Sequence, residues 1–182
     1  MDAIELLLTR QSCPRLAEPG PSEAQLNTIL DAGVRVPDHA GLAPWEFIIA
    51  QGEGLKKLGQ VFADAAMSSG ADEAALAKAL VMPQRAPLVI VVVAKPVEHA
   101  KVPELEQHIA AGCATMAMQQ AAFASGLGAI WRTGSYAFDR NVHQSLGLTQ
   151  GDQIVGFLYV GTPVVKAPIK AAKKGGEFTR YL

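Results

Sequence analysis

The run Leu88-Val-Ile-Val-Val-Val-Ala94 constrains this chain more than any other segment. Its residues are all apolar, mostly β-branched, and show no polar alternation. That is the pattern of a strand buried on both faces. The run is also far too short to cross a bilayer as a helix, so no membrane association is expected.

The rest of the chain supplies the cover. Asp2 with Glu5 reads as a helix start, and that helix should run to about Arg10. Cys13-Pro14 then leaves helical geometry, because the residue before proline is pushed out of the α region. Pro19-Gly-Pro21 is a turn, and Ser22-Glu-Ala-Gln25 is a capping box opening a helix that carries Leu26, Ile29 and Leu30 on one face. A loop from Val36 to Pro44 leads into a strand, Trp45 to Ala50. Helices are expected around Leu55–Phe62 and over residues 71 to 81. Pro103 to Phe123 is the longest helical candidate, with Glu104 and Glu106 suited to its positive start. From Ala110 its side chains are small and apolar nearly all round, which predicts a buried helix. A short strand at 129–131, a short helix from Asp139 and a last strand at 154–160 complete the reading. Helices alternate with strands around one mixed sheet, an α+β or three-layer arrangement. No repeat or long linker divides the chain, so residues 1–182 are expected to form one domain.

Composition removes several functions. The formal net charge is −1, which gives no electrostatic footprint for nucleic acid. Charged residues make up 18% of the chain, against about 25% in an average soluble protein. Some apolar surface is therefore expected to be covered by another chain. Cys13 and Cys113 make no disulfide framework and read as reduced thiols in a cytoplasmic protein. His39, His99, His108 and His143 lack ligand-like spacing, so no metal is expected. Cys113 and His108 are five residues apart, about 140° around a helix, and do not share a face as a thiol dyad would need.

Three stretches carry chemistry. Arg10-Gln-Ser-Cys-Pro-Arg15 leaves a helix with two guanidiniums and a hydroxyl, donors that match phosphate oxygens. Arg35-Val-Pro-Asp-His39 with Pro44-Trp-Glu-Phe47 offers donors to an anionic or heteroaromatic ligand from a proline-stiffened loop. Gly126-Leu-Gly-Ala-Ile-Trp-Arg-Thr-Gly134 delivers Trp131, Arg132 and Thr133, which can line a flat, charged ligand. Each alone is also an ordinary surface or packing feature.

Taken together and in this order, the three stretches resemble the FMN-dependent nitroreductase family, whose pattern is R-R-S-x-R, A-P-S, Q-P-W-x-F and G-L-G-x-x-W. Asp38-His39, Ala111-Gly-Cys-Ala114, Ile130-Trp-Arg132 and Val155 to Pro163 look like a small bacterial subgroup of NAD(P)H nitroreductases. The resemblance implies an α+β, three-layer α/β/α fold with a mainly antiparallel sheet. It further implies a domain-swapped-style homodimer with one FMN per subunit at the interface. Carried over by position, Arg10, Gln11 and Ser12 should meet the phosphate and ribityl end of FMN. Arg35 and His39 should contact FMN from the partner chain, and Trp131, Arg132 and Thr133 should line the flavin. Ala121, Ala122, Phe123, Ala124, Ser125 and Gly126 should hold the nicotinamide dinucleotide. Hydride would pass from NAD(P)H to the flavin and on to a nitroaromatic, quinone or similar small-molecule acceptor by a ping-pong route. Chemistry on the flavin N5 then needs no catalytic side chain. Enal or semialdehyde reduction and non-catalytic FMN binding are the alternatives. Two departures stand out: Gln11 replaces the second arginine of R-R-S, and Ala43 replaces the Gln or Asn usual before Pro44.

Overall fold

The computed structural model describes residues 1–165 and 168–182; positions 166 and 167 of the expected 1–182 domain lie outside the described residues. Among the described residues, eleven α-helices and strands follow one another as α1 (Ala3–Thr9), β1 (Leu16–Ala17), α2 (Glu23–Gly33), β2 (Trp45–Gln51), α3 (Glu53–Ser68), α4 (Glu73–Val81), β3 (Leu88–Ala94), α5 (Glu104–Ala124), β4 (Gly128–Arg132), α6 (Arg140–Ser145) and β5 (Gln153–Pro163).

β3 is buried along its whole length. β2 and β5 flank it in antiparallel register, β4 pairs with the far edge of β5, and β1 adds a two-residue bridge at Leu16–Pro163. All these pairings are antiparallel, so the mixed sheet of the sequence reading is, among the described residues, antiparallel throughout. Period-two alternation sends β3 side chains to two separate cores. Val89, Val91 and Val93 join Leu58, Phe62, Val142 and Phe157 under α3, α4 and α6. Leu88, Ile90 and Val92 join Ile29, Met118 and Leu158 under α2 and α5. This is the expected three-layer arrangement.

The helix starts follow the sequence signals. The Asp2 carboxylate accepts the Glu5 N–H at 2.8 Å. Ser22 and Gln25 form a complete capping box. Each satisfies backbone donors that a helix start otherwise leaves open.

α5 departs from the expectation of burial on all sides. From Ala110 onward, Ala110, Ala111, Ala114, Met118 and Ala122 are buried but Cys113 and Ala124 are exposed; ahead of that stretch, Leu105 is 69% and Ile109 is 55% exposed. One stripe of the helix meets the sheet and α2, and the opposite stripe is open. α1 buries none of its residues and leaves Ile4, Leu7 and Leu8 exposed. No helix among the described residues is long and apolar enough to cross a membrane.

β5 carries a bulge that matters for the site. Val92 faces Gly156 while Val93 faces Ile154, leaving Val155 as the extra residue. Its carbonyl is thereby turned out of the ladder and accepts the Trp131 indole N–H at 3.2 Å.

Candidate functional site

The first group of candidates leaves α1. Arg10 caps the helix, its N–H donating to Leu6. The chain then crosses to β4, where the Cys13 N–H donates to the Ala129 carbonyl at 2.9 Å. Gln119 of α5, 4% exposed, reinforces this joint, donating to the same carbonyl at 3.1 Å and approaching Ser12 Oγ at 3.5 Å. Sequence reading missed Gln119; its signal is a glutamine inside an otherwise small and apolar helix, which needs a buried partner. Gln11 turns to the C-terminal tail. Its side-chain amide donates to the Pro168 carbonyl at 3.1 Å and accepts the Lys170 N–H at 3.2 Å. Those two bonds assign the Gln11 amide a partner within the chain, where the sequence reading expected a phosphate or ribityl contact.

Beside this segment lies a cavity of about 460 Å³ lined by Gln11, Ser12, Cys13, Phe123, Gly126 and Gly128 among others. It joins members of two predicted groups, Gln11 and Ser12 of the 10–12 segment and Phe123 and Gly126 of the 121–126 turn; Arg10 is not among its lining residues. The members of that turn are not equivalent. Ala122 is 0% exposed inside the apolar cluster of α2 and α5, so its side chain is closed to any ligand. Ala124 and Gly126 are exposed, and Ala121, Phe123 and Ser125 are half-buried.

The second group sits in the loop after α2. Gln25 at the start of α2 donates to Ser125 at the end of α5 at 3.3 Å. Gly33 near the other end of α2 lies against Met118, where an added Cβ would approach the Met118 side chain to 2.9 Å. The helices therefore run antiparallel, and the loop after α2 is delivered to the first half of α5. The Asp38 carboxylate accepts the N–H groups of Leu42 at 3.1 Å and Ala43 at 2.8 Å. That brace holds a backbone with positive φ at Ala40 (64°) and Ala43 (48°), positions that favour Gly or Asn. His39 Nδ1 lies 2.7 Å from Glu106 Oε2. A second cavity, of about 200 Å³, is lined there by Pro37, His39, Pro44, Glu106, Ile109 and Cys113 among others. Arg35 is exposed beside this loop.

The third group lies on β4. Trp131 belongs to the core under α5, with its indole fitted over Gly156. Ile130 packs into the opposite core, and period-two alternation puts Arg132 on that same side. The Arg132 charge acts there on the Tyr159 phenol. The side chains of Trp131 and Arg132 thus leave opposite faces of the sheet. A flat ligand can meet the side chain of one and only the backbone of the other. Thr133 is exposed at the strand end.

One chain does not bring all three groups together. The Gln11–Ser12 cavity touches α5 at Phe123, and the His39 cavity touches it at Ala110. At about 1.5 Å per residue, these stations are roughly 20 Å apart along the helix. The remaining histidines are used locally. His143 is 1% exposed, accepting from Arg140 through Nδ1 at 3.0 Å and donating to the Ala137 carbonyl from Nε2 at 3.0 Å. His108 pairs with the Glu104 carbonyl one turn back, at 2.9 Å. Among the described residues no cluster of His, Cys, Asp and Glu is arranged to hold a metal ion.

Helices on both faces of an antiparallel sheet, with candidate ligand residues at two ends of one central helix, define a class of fold that comparison identifies. Residues 7–162 match the nitroreductase family, and the chain belongs to that family. Among relatives, it is 50% identical over 167 residues to YdjA of Escherichia coli, provisionally named an NAD(P)H nitroreductase, covering 92% of this chain and 91% of that protein. A similarly named Haemophilus influenzae protein is 39% identical over 168 residues, covering 92% and 91%. Of solved structures, the nitroreductase-like family protein from Bacillus cereus matches with a TM-score of 0.87 at 22% identity, covering 100% of this chain and 96% of that one. The nitroreductase with bound FMN from Bacteroides fragilis matches with a TM-score of 0.73 at 21% identity, covering 98% of each chain.

Proposed function

We propose that this chain is an FMN-dependent NAD(P)H oxidoreductase acting as a homodimer, with residues 1–182 as one FMN-binding domain. The observation that carries the reading is the cavity lined by Gln11, Ser12 and Cys13 on one side and by Phe123 and Gly126 on the other, in a chain half identical to an NAD(P)H nitroreductase-named relative. The residues present fit a phosphorylated flavin. Arg10 and Ser12 supply a fixed charge and a hydroxyl donor, and Gly128 lets Cys13 and Leu16 close against β4, where an added Cβ would come within 3.0 Å of Cys13 and 2.7 Å of Leu16. FMN, when bound, supplies the electron-carrying chemistry between NAD(P)H and an electron-poor acceptor such as a nitroaromatic or quinone, in a ping-pong cycle.

The chain's own part is to bind and orient. Arg10 and Ser12 hold the anionic end. Phe123 and Gly126 form the neighbouring wall for the dinucleotide. Trp131 presents an indole edge from β4, its N–H already engaged by Val155. Arg35 and His39, roughly 20 Å away along α5 in the same chain, act on the partner's FMN. The open stripe of Leu105 and Ile109 on α5, with Ile4, Leu7 and Leu8 on α1, offers the apolar face for that second copy. A cytoplasmic setting fits the two free thiols.

The test uses the purified full chain. It should be yellow or take up one FMN per chain, and the flavin should bleach anaerobically on adding NADH or NADPH. Colourless protein that refuses FMN overturns the proposal. Bound flavin that neither nicotinamide bleaches makes the chain a non-catalytic FMN binder.

A further inference from the structure

We infer that Glu106 is a positioning residue for His39, fixing which imidazole nitrogen carries the proton and which one faces the ligand. The inference rests on the proposed role of His39 at FMN and adds a residue to that site. The contact is short, 2.7 Å between Nδ1 and Oε2. An ionised carboxylate only accepts, so Nδ1 must carry the hydrogen and donate it. Nε2 is then left for the cavity that His39 lines. It accepts when the ring is neutral and donates when the ring is protonated.

The pair is not there for stability. The two side chains are 55% and 49% exposed, and ion pairs that open to water contribute little. Its surroundings instead hold both partners in place. The Asp38 carboxylate locks the loop backbone through the Leu42 and Ala43 N–H groups, which leaves the His39 ring as the movable part. Glu106 stands on the first turn of α5. Next to it Gln107, 2% exposed, ties that turn to the Val97 backbone, accepting its N–H at 2.9 Å and donating to its carbonyl at 2.8 Å. A carboxylate fixed to a rigid helix start thus orients a ring on a rigid loop, as an outer partner orients a ligating histidine.

Two measurements test it. The first needs no flavin: nitrogen NMR of the histidine rings in the ligand-free chain above neutral pH, with His39 identified by its loss in His39→Asn. The neutral His39 ring should carry its proton on Nδ1. In Glu106→Ala it should revert to the Nε2–H form that free imidazole side chains prefer. A wild-type His39 already protonated on Nε2 overturns the inference. The second is FMN affinity by flavin-fluorescence quenching. Glu106→Ala should weaken FMN about 10-fold. Glu106→Gln, whose amide oxygen still accepts, should stay within about 3-fold of wild type. Adding Glu106→Ala to His39→Ala should change nothing further. An equal loss in the His39→Ala background, or no loss in wild type, overturns it. Wild-type protein that shows the Nδ1–H ring yet refuses FMN counts against the proposed function and leaves the pairing intact.

Discussion

Tyr159 shows how much one buried residue changes when its strand is central. Its phenol is 3% exposed, and burial raises its pKa above the ordinary 10.0, against smaller lowering effects from Arg85 and Arg132. A raised phenol keeps its proton in the folded state after the unfolded chain has lost it. Stability is therefore intact below about pH 10 and falls as pH climbs from there through the folded value. Lys95 adds a loss just above, because its bond to Glu46 raises it from 10.5. Tyr159→Phe should reduce the alkaline loss measured by urea unfolding between pH 9 and 11, leaving the parts of Lys95 and of Tyr136, whose phenol is also raised by burial and by Asp139. Single residues were also where sequence reading reached its limit. Arg10, Ser12 and His39 are visible as donors in any reading. The partner of Gln11 lies 157 residues further along, and a contact of that range leaves no local pattern. Trp131 and Arg132 look like one ligand-lining pair until the strand's alternation separates them.

At the scale of elements, the legible parts were those with a period or a cap. β3 spans Leu88–Ala94 as its apolar run requires, and α2 begins at the Ser22–Gln25 capping box. β1 escaped notice because two residues cannot display alternation. The bulge at Val155 escaped because nothing local announces an extra residue in a ladder. Yet that bulge and Gly156 together seat Trp131. A Cβ on Gly156 would overlap the indole nitrogen and stand 2.9 Å from the Arg132 carbonyl. Gly156→Ala should cost about 3 kcal/mol or more by the overpacking route. The measurement is chemical denaturation, and tryptophan fluorescence should report the displaced ring. The direction of strand pairing came from the family resemblance, which implied a mainly antiparallel sheet; the residue patterns alone did not carry it, since it depends on which elements end up adjacent.

For the whole molecule, low charge and small side chains pointed to apolar surface awaiting cover, and the outer stripe of α5 supplies it at Leu105 and Ile109. Which surface would meet which was not readable, because a helix that is apolar all round gives no hint of its two different faces. Ile109→Glu puts a charge into that stripe. It should shift the proposed dimer to monomer in light scattering and weaken FMN at least 10-fold, while the monomer keeps its helical circular dichroism.

α5 also has a genetic consequence. Its two ends serve different cofactors if the sites are shared between chains. A hybrid made from one subunit damaged at Ser12 and one damaged at His39 then carries one doubly damaged site and one wholly intact site. Two inactive alleles of this protein would restore each other's activity when expressed in the same cell.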